Sequence, residues 1–123
     1  MTDDEFARAF ESCELSNESF HHRDHIRLAW IYLHRYGPEE AGSRMADSIR
    51  RFAAHHGKSD KYHETVTQAW MQLVAHAAKS GADLETLVKS LDKTILAEFY
   101  SEAILQSEAA RTTFVPPDRK PLP

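Results

Sequence analysis

Cysteine occurs once in this chain, as Cys13. A lone thiol excludes an intrachain disulfide and a CxxC metal site. Glu11 and Glu14 beside it carry the wrong charge to support a catalytic thiolate. A basic surface is lacking too. Lysines and arginines are scattered among acids, the formal net charge is −4, and Arg50-Arg51 reads as a solvated doublet on a helix. Nucleic acid is therefore not an expected partner. No apolar run approaches the ~20 residues of a membrane-spanning helix, so no membrane contact is expected. The first five residues, Met1 to Glu5, are acidic where a signal peptide would be basic. With the single cysteine, this points to a cytoplasmic setting. Sustained alternation of β-branched residues is missing as well, which argues against strands. There is no internal repeat, no low-complexity segment and no domain boundary.

What remains is helical spacing throughout. The chain has 123 residues, 41% of them hydrophobic, enough for one domain around one core. The expected fold is all-α, a compact bundle of five or six helices spanning 1–123. A first helix over roughly 3–13 would dock through Phe6 and Phe10. A second begins between Ser19 and His22 and stops at Gly37-Pro38, where proline cannot continue a helix and glycine suits a left-handed cap. Its stretch from Ile26 to Leu33 carries one charge, Arg27, as expected of a central helix. A third runs from Pro38, a good first helical residue, to about His56. Met45, Ile49, Phe52 and His56 form its inner stripe. A fourth follows Ser59-Asp60 and ends at Gly81, and a fifth buries Leu84, Leu87, Val88, Leu91 and Ile95. A sixth, or its continuation, carries Phe99, Tyr100, Ile104 and Leu105. Residues 112–123, with Pro116, Pro117, Pro121 and Pro123, form an irregular strap, which Phe114 and Val115 are placed to pin.

The histidines carry the chemical signal. Helix two opens with His21-His22-Arg23-Asp24-His25 and helix four with Tyr62-His63-Glu64. At about 100° per residue, His22 falls in line with Ile26, Ala29 and Leu33, with His25 at its flank. His63 falls in line with Thr67, Trp70 and Val74. His21 and Glu64 each sit about 100° off those lines, so Glu64 joins a site only at the rim or under a covering helix. Helix three crosses between helices two and four, so these two should run parallel and bring their N-terminal ends together. Buried imidazole is costly unless hydrogen-bonded or ligated.

Two classes of explanation follow. In the first, His22, His25 and His63, with His21 as a weaker candidate, bind a divalent transition metal, zinc or iron. Three protein ligands leave room for water and substrate. Glu64, Tyr62, Asp24 and Thr67 would then supply a base, an outer ligand or hydrogen bonds to a small-molecule substrate in a hydrolytic or oxidative reaction. In the second, the histidines are structural, capping orphan N–H groups or bonding across the core. The protein is then a non-enzymatic interaction or small-ligand-binding module, with helix two as a core or homodimer seam. Trp30, Trp70, Tyr32 and Phe52 fit a plain core or a pocket wall. His55 and His56 end helix three, and His56 is a reserve ligand. His34 and His76 are expected at the surface. Glu98 and Glu102 lack the Glu-x-x-His partners of a dimetal bundle and read as a solvated face.

The segments from Phe20 to Trp30 and from Lys61 to Thr67 also stand together with an ending, Ser107 to Arg111 followed by Phe114-Val115-Pro116-Pro117-Asp118 and Pro121-Leu122-Pro123. Together they resemble an uncharacterised family of small all-helical bacterial proteins, over most of the chain. The resemblance implies a helical fold and points at the same motifs, and it implies no reaction.

Overall fold

Thr2 starts the first helix. Its hydroxyl accepts from the Glu5 N–H while the Glu5 carboxylate accepts from the Thr2 N–H, a capping box. Helix α1 (Asp3–Glu11) then buries Phe6, Ala7 and Phe10. Arg27 and Arg35 hold its start through Asp3 and Asp4. The helix stops where Cys13 takes φ 64°. The computed structural model describes residues 1–123, the side chain of Ser19 excepted.

Helix α2 (His22–His55) is a 34-residue run broken at Gly37, whose φ of 84° and ψ of 165° are not helical. Its arms, 22–36 and 38–55, are the expected second and third helices. Gly37 is not the left-handed cap the sequence suggests. It occupies an extended region open essentially to glycine alone, and Pro38 restarts the helix. The arms fold back on each other. The Tyr32 hydroxyl reaches across to Ser48 Oγ at 2.9 Å and to Glu11 of α1 at 2.5 Å, tying three segments at one buried point.

Helix α3 (Glu64–Ala78) packs along both arms. It runs in the same direction as the first arm. His25 and His63 share a cavity near one end, and Leu33 and Pro38 share a groove with Ala75 and Ala78 at the other.

The C-terminal third departs from expectation. Helix α4 (Leu84–Ser90) ends well before Ile95. Asp92 opens a 3-10 segment, Lys93–Glu98, by accepting from the Thr94 N–H at 2.8 Å. Phe99 and Tyr100 lie outside any helix. Ser101 and Ser107 cap two further short helices, α5 (Glu102–Leu105) and α6 (Glu108–Thr112). The whole is all-helical, with no strand among the described residues. Dividing α2 at Gly37 makes seven α-helical segments where five or six were expected.

The strap is pinned, but not by the Phe114 side chain, which is 38% exposed. The wholly buried Thr65 donates to Thr113 O at 2.9 Å and accepts from the Val115 N–H at 3.0 Å. Tyr100 donates to Val115 O, and Asp118 accepts from the Ser101 N–H. Among the described residues no helix is long and apolar enough to cross a membrane.

Candidate functional site

Parallel packing of α3 on the first arm leaves a cavity of about 130 Å³ at their N-terminal ends. Ile26 and Ala29 of the first arm line it, with Met45 and Ile49 of the second and Val66, Trp70 and Met71 of α3. Polar groups are few: His25, Lys61, Tyr62, His63 and Thr67. A second cavity of about 170 Å³ shares His25, Ile49, Lys61 and Tyr62 with the first and adds Asn17, Phe20, Phe52, Ala53 and Lys58. An apolar recess with a handful of placed polar groups is the usual form of a small-molecule site.

The histidines divide by role. His63 precedes α3 as its N-cap. Its Nδ1 accepts from the Val66 N–H at 3.1 Å, and its Nε2–H donates to Leu105 O at 2.7 Å. Both ring nitrogens are occupied, and the acceptor role of Nδ1 fixes the proton on Nε2. His22 places Nε2 at 2.7 Å from Leu91 O and its ring edge-on to Trp70, 4.8 Å between centroids. Trp70 also lines the cavity, so His22 stands behind its wall. His25 faces both cavities, packed on Phe20 at 4.1 Å. Burial, and to a lesser degree the neighbouring His22, lowers its pKa to about 4, so the ring is neutral at pH 7. His21 is exposed at the N-cap of α2. His56 bonds to Leu15 O, and His34 to Trp30 O.

The residues proposed for acid–base work scatter. Asp24 accepts from the His21 N–H at 2.9 Å and serves as a capping carboxylate. Glu64 is covered, as helical geometry required for it to matter, by the second arm of α2. Arg50 approaches it at 3.1 Å, Tyr62 donates to it at 2.5 Å, and Gln68 bridges it to Gly42 O. Desolvation, with the bond to Glu64, raises the Tyr62 pKa, so the phenol stays protonated. Thr67 lines the cavity but gives its proton to His63 O.

The structure thus brings His25, His63, Tyr62 and Thr67 to one cavity and leaves His21, His22, Asp24 and Glu64 off it. Among the described residues no three His, Cys, Asp or Glu side chains are grouped to hold a metal ion. The set does not fit a three-histidine centre. His63 lacks a free lone pair, and His22 is turned to Leu91 O.

Comparison with known proteins finds no match. No family model, curated protein or solved structure matches this chain.

Lys58 and Lys61 were not singled out from the sequence. Their signal was faint, since Lys61 directly precedes Tyr62-His63 but resembles any surface lysine. Of the four aromatics considered as pocket walls, Trp70 and Phe52 border the two cavities. Tyr32 is part of the buried core. Trp30 is not among the lining residues, and its buried Nε1 is without a hydrogen-bond partner.

Proposed function

We propose that this protein is a small-ligand-binding module whose site is the cavity between the arms of α2 and the start of α3. His63 and His22 serve as its structural supports. The observation that carries this reading is the apolar recess, partly open to solvent, with the half-buried His25 among its few polar groups. Its size is close to that of an apolar cavity of about 150 Å³ known to accept benzene. The ligand is then a single ring or a short branched chain.

Metal-dependent chemistry by His22, His25 and His63 is the weaker proposal, because His63 must first release Val66 or Leu105 to coordinate anything. Binding without chemistry needs no such rearrangement.

Titration with ring-sized probes such as indole, followed by amide chemical shifts, tests the reading. Shifts should cluster at residues 25–29, 45–49 and 62–71, and should vanish in Ala29→Leu, which fills the recess. Perturbations spread over the surface, or unchanged by Ala29→Leu, would remove it.

A further inference from the structure

The cavity reading leaves open which chemical class the site selects, and the charges at its mouth bear on that. Lys61 lines both cavities and Lys58 the second, which is the more open to solvent and so the outer of the two. Neither lysine takes part in an ion pair among the described side chains. No aspartate or glutamate lines either cavity. The nearby Glu64 is already matched, its oxygens taken by Arg50, Tyr62 and Gln68. In a chain with an acidic balance overall, both cavities are thus lined by lysine and by no carboxylate.

We infer that the ligand of this cavity is a small aromatic carboxylate, its ring in the inner chamber and its carboxylate in the outer one beside Lys61 and Lys58. This rests on the cavity reading above. The inner chamber offers the ring Ile26, Ala29 and Val66, with Trp70 as an aromatic wall. The shared wall of the two chambers, His25 and Tyr62, sits where ring and carboxylate join. His25 is the group there able to give a hydrogen bond. The Tyr62 proton is committed to Glu64 and the Thr67 proton to His63 O. A neutral imidazole offers one N–H to an anion with no charge of its own to desolvate. The lysines, at the solvent edge, contribute selectivity and faster capture more than binding strength.

Benzoate, benzamide and benzyl alcohol are close in shape and differ in charge, so their affinities separate the two readings. Measured by amide shifts at low salt, benzoate should bind more tightly than either neutral probe. Lys58→Gln with Lys61→Gln should weaken benzoate by about fivefold, the scale of exposed ion pairs. The neutral probes should weaken clearly less than benzoate, and added salt should mimic the double variant for benzoate alone. Both lysines are exposed, so the variants retain the fold. Equal or tighter binding of benzamide and benzyl alcohol, lost in Ala29→Leu, overturns the carboxylate inference and leaves the cavity reading standing. No binding of any probe at residues 25–29 and 62–71 overturns both.

Discussion

Partial burial against Phe20, between cavities it lines with Ile26 and Ile49, holds His25 neutral at pH 7. A histidine whose folded pKa lies below its unfolded value of 6.5 favours folding above pH 6.5. That contribution is lost as pH falls from about 6.5 toward about 4. The unfolded chain gains a proton there that the folded chain resists. The size is about 2–3 kcal/mol over that window. Urea unfolding of wild type and His25→Phe, compared at pH 7 and pH 4.5, isolates the effect from the carboxylates both proteins share. The variant should gain on wild type by about that amount as the pH drops. A difference independent of pH would mean that water reaches the ring. His63, expected on the fourth helix, precedes α3 as an extended N-cap, whereas the inward direction of His22 and His25 was legible from helical spacing. The partners of these rings were not. His22 and His63 bond to carbonyls 69 and 42 residues away, and no local pattern encodes which carbonyl a folded chain presents to a ring.

Elements with long, uninterrupted periodicity were readable, and short ones were not. The two arms of α2, α1 and α3 follow from their apolar stripes and from Gly37-Pro38. The run Leu84 to Ile95 kept a helical stripe, yet Asp92 turns its carboxylate onto the Thr94 N–H and opens a new segment. Ser101 and Ser107 do likewise. Three side-chain caps break the stretch expected to hold a fifth helix and a sixth, or its continuation, into shorter pieces, because each satisfies orphan backbone donors locally. The strap shows the opposite case, an irregular element fixed by one tertiary residue. Thr65→Val keeps the shape of a fully buried side chain and removes the hydroxyl that serves Thr113 O and the Val115 N–H. Leaving those groups unpaired should cost about 1–3 kcal/mol. The loss should appear as fast amide exchange at Val115 and early proteolysis in the strap, with α2 and α3 intact. Unchanged protection at Val115 would show that Tyr100 and Asp118 suffice.

At the scale of the whole molecule, one hairpin sets the site. Because α2 folds back at Gly37, α3 returns parallel to the first arm, and three helical segments meet around a space none of them fills. The sequence placed the N-terminal ends together, but not the space between them, which depends on how Ala29, Met45, Ile49 and Trp70 interlock. Protein interiors are close-packed, and an unfilled volume forfeits about 24 cal/mol per Å³. A cavity of about 130 Å³ that is partly open to solvent withholds part of that packing from the fold. A bundle with no use for the recess gains by filling it. Ala29→Leu adds apolar volume at a wall residue that is 2% exposed and suits a helix as well as alanine nearly does. It should raise the thermal midpoint by about 4 °C, the effect of about 1 kcal/mol in a domain of this size, while abolishing the response to benzoate. Stability gained together with binding lost marks a site kept open for a ligand. A fall in the midpoint would show instead that Trp70 and Met45 already close the volume and that the added side chain overpacks it.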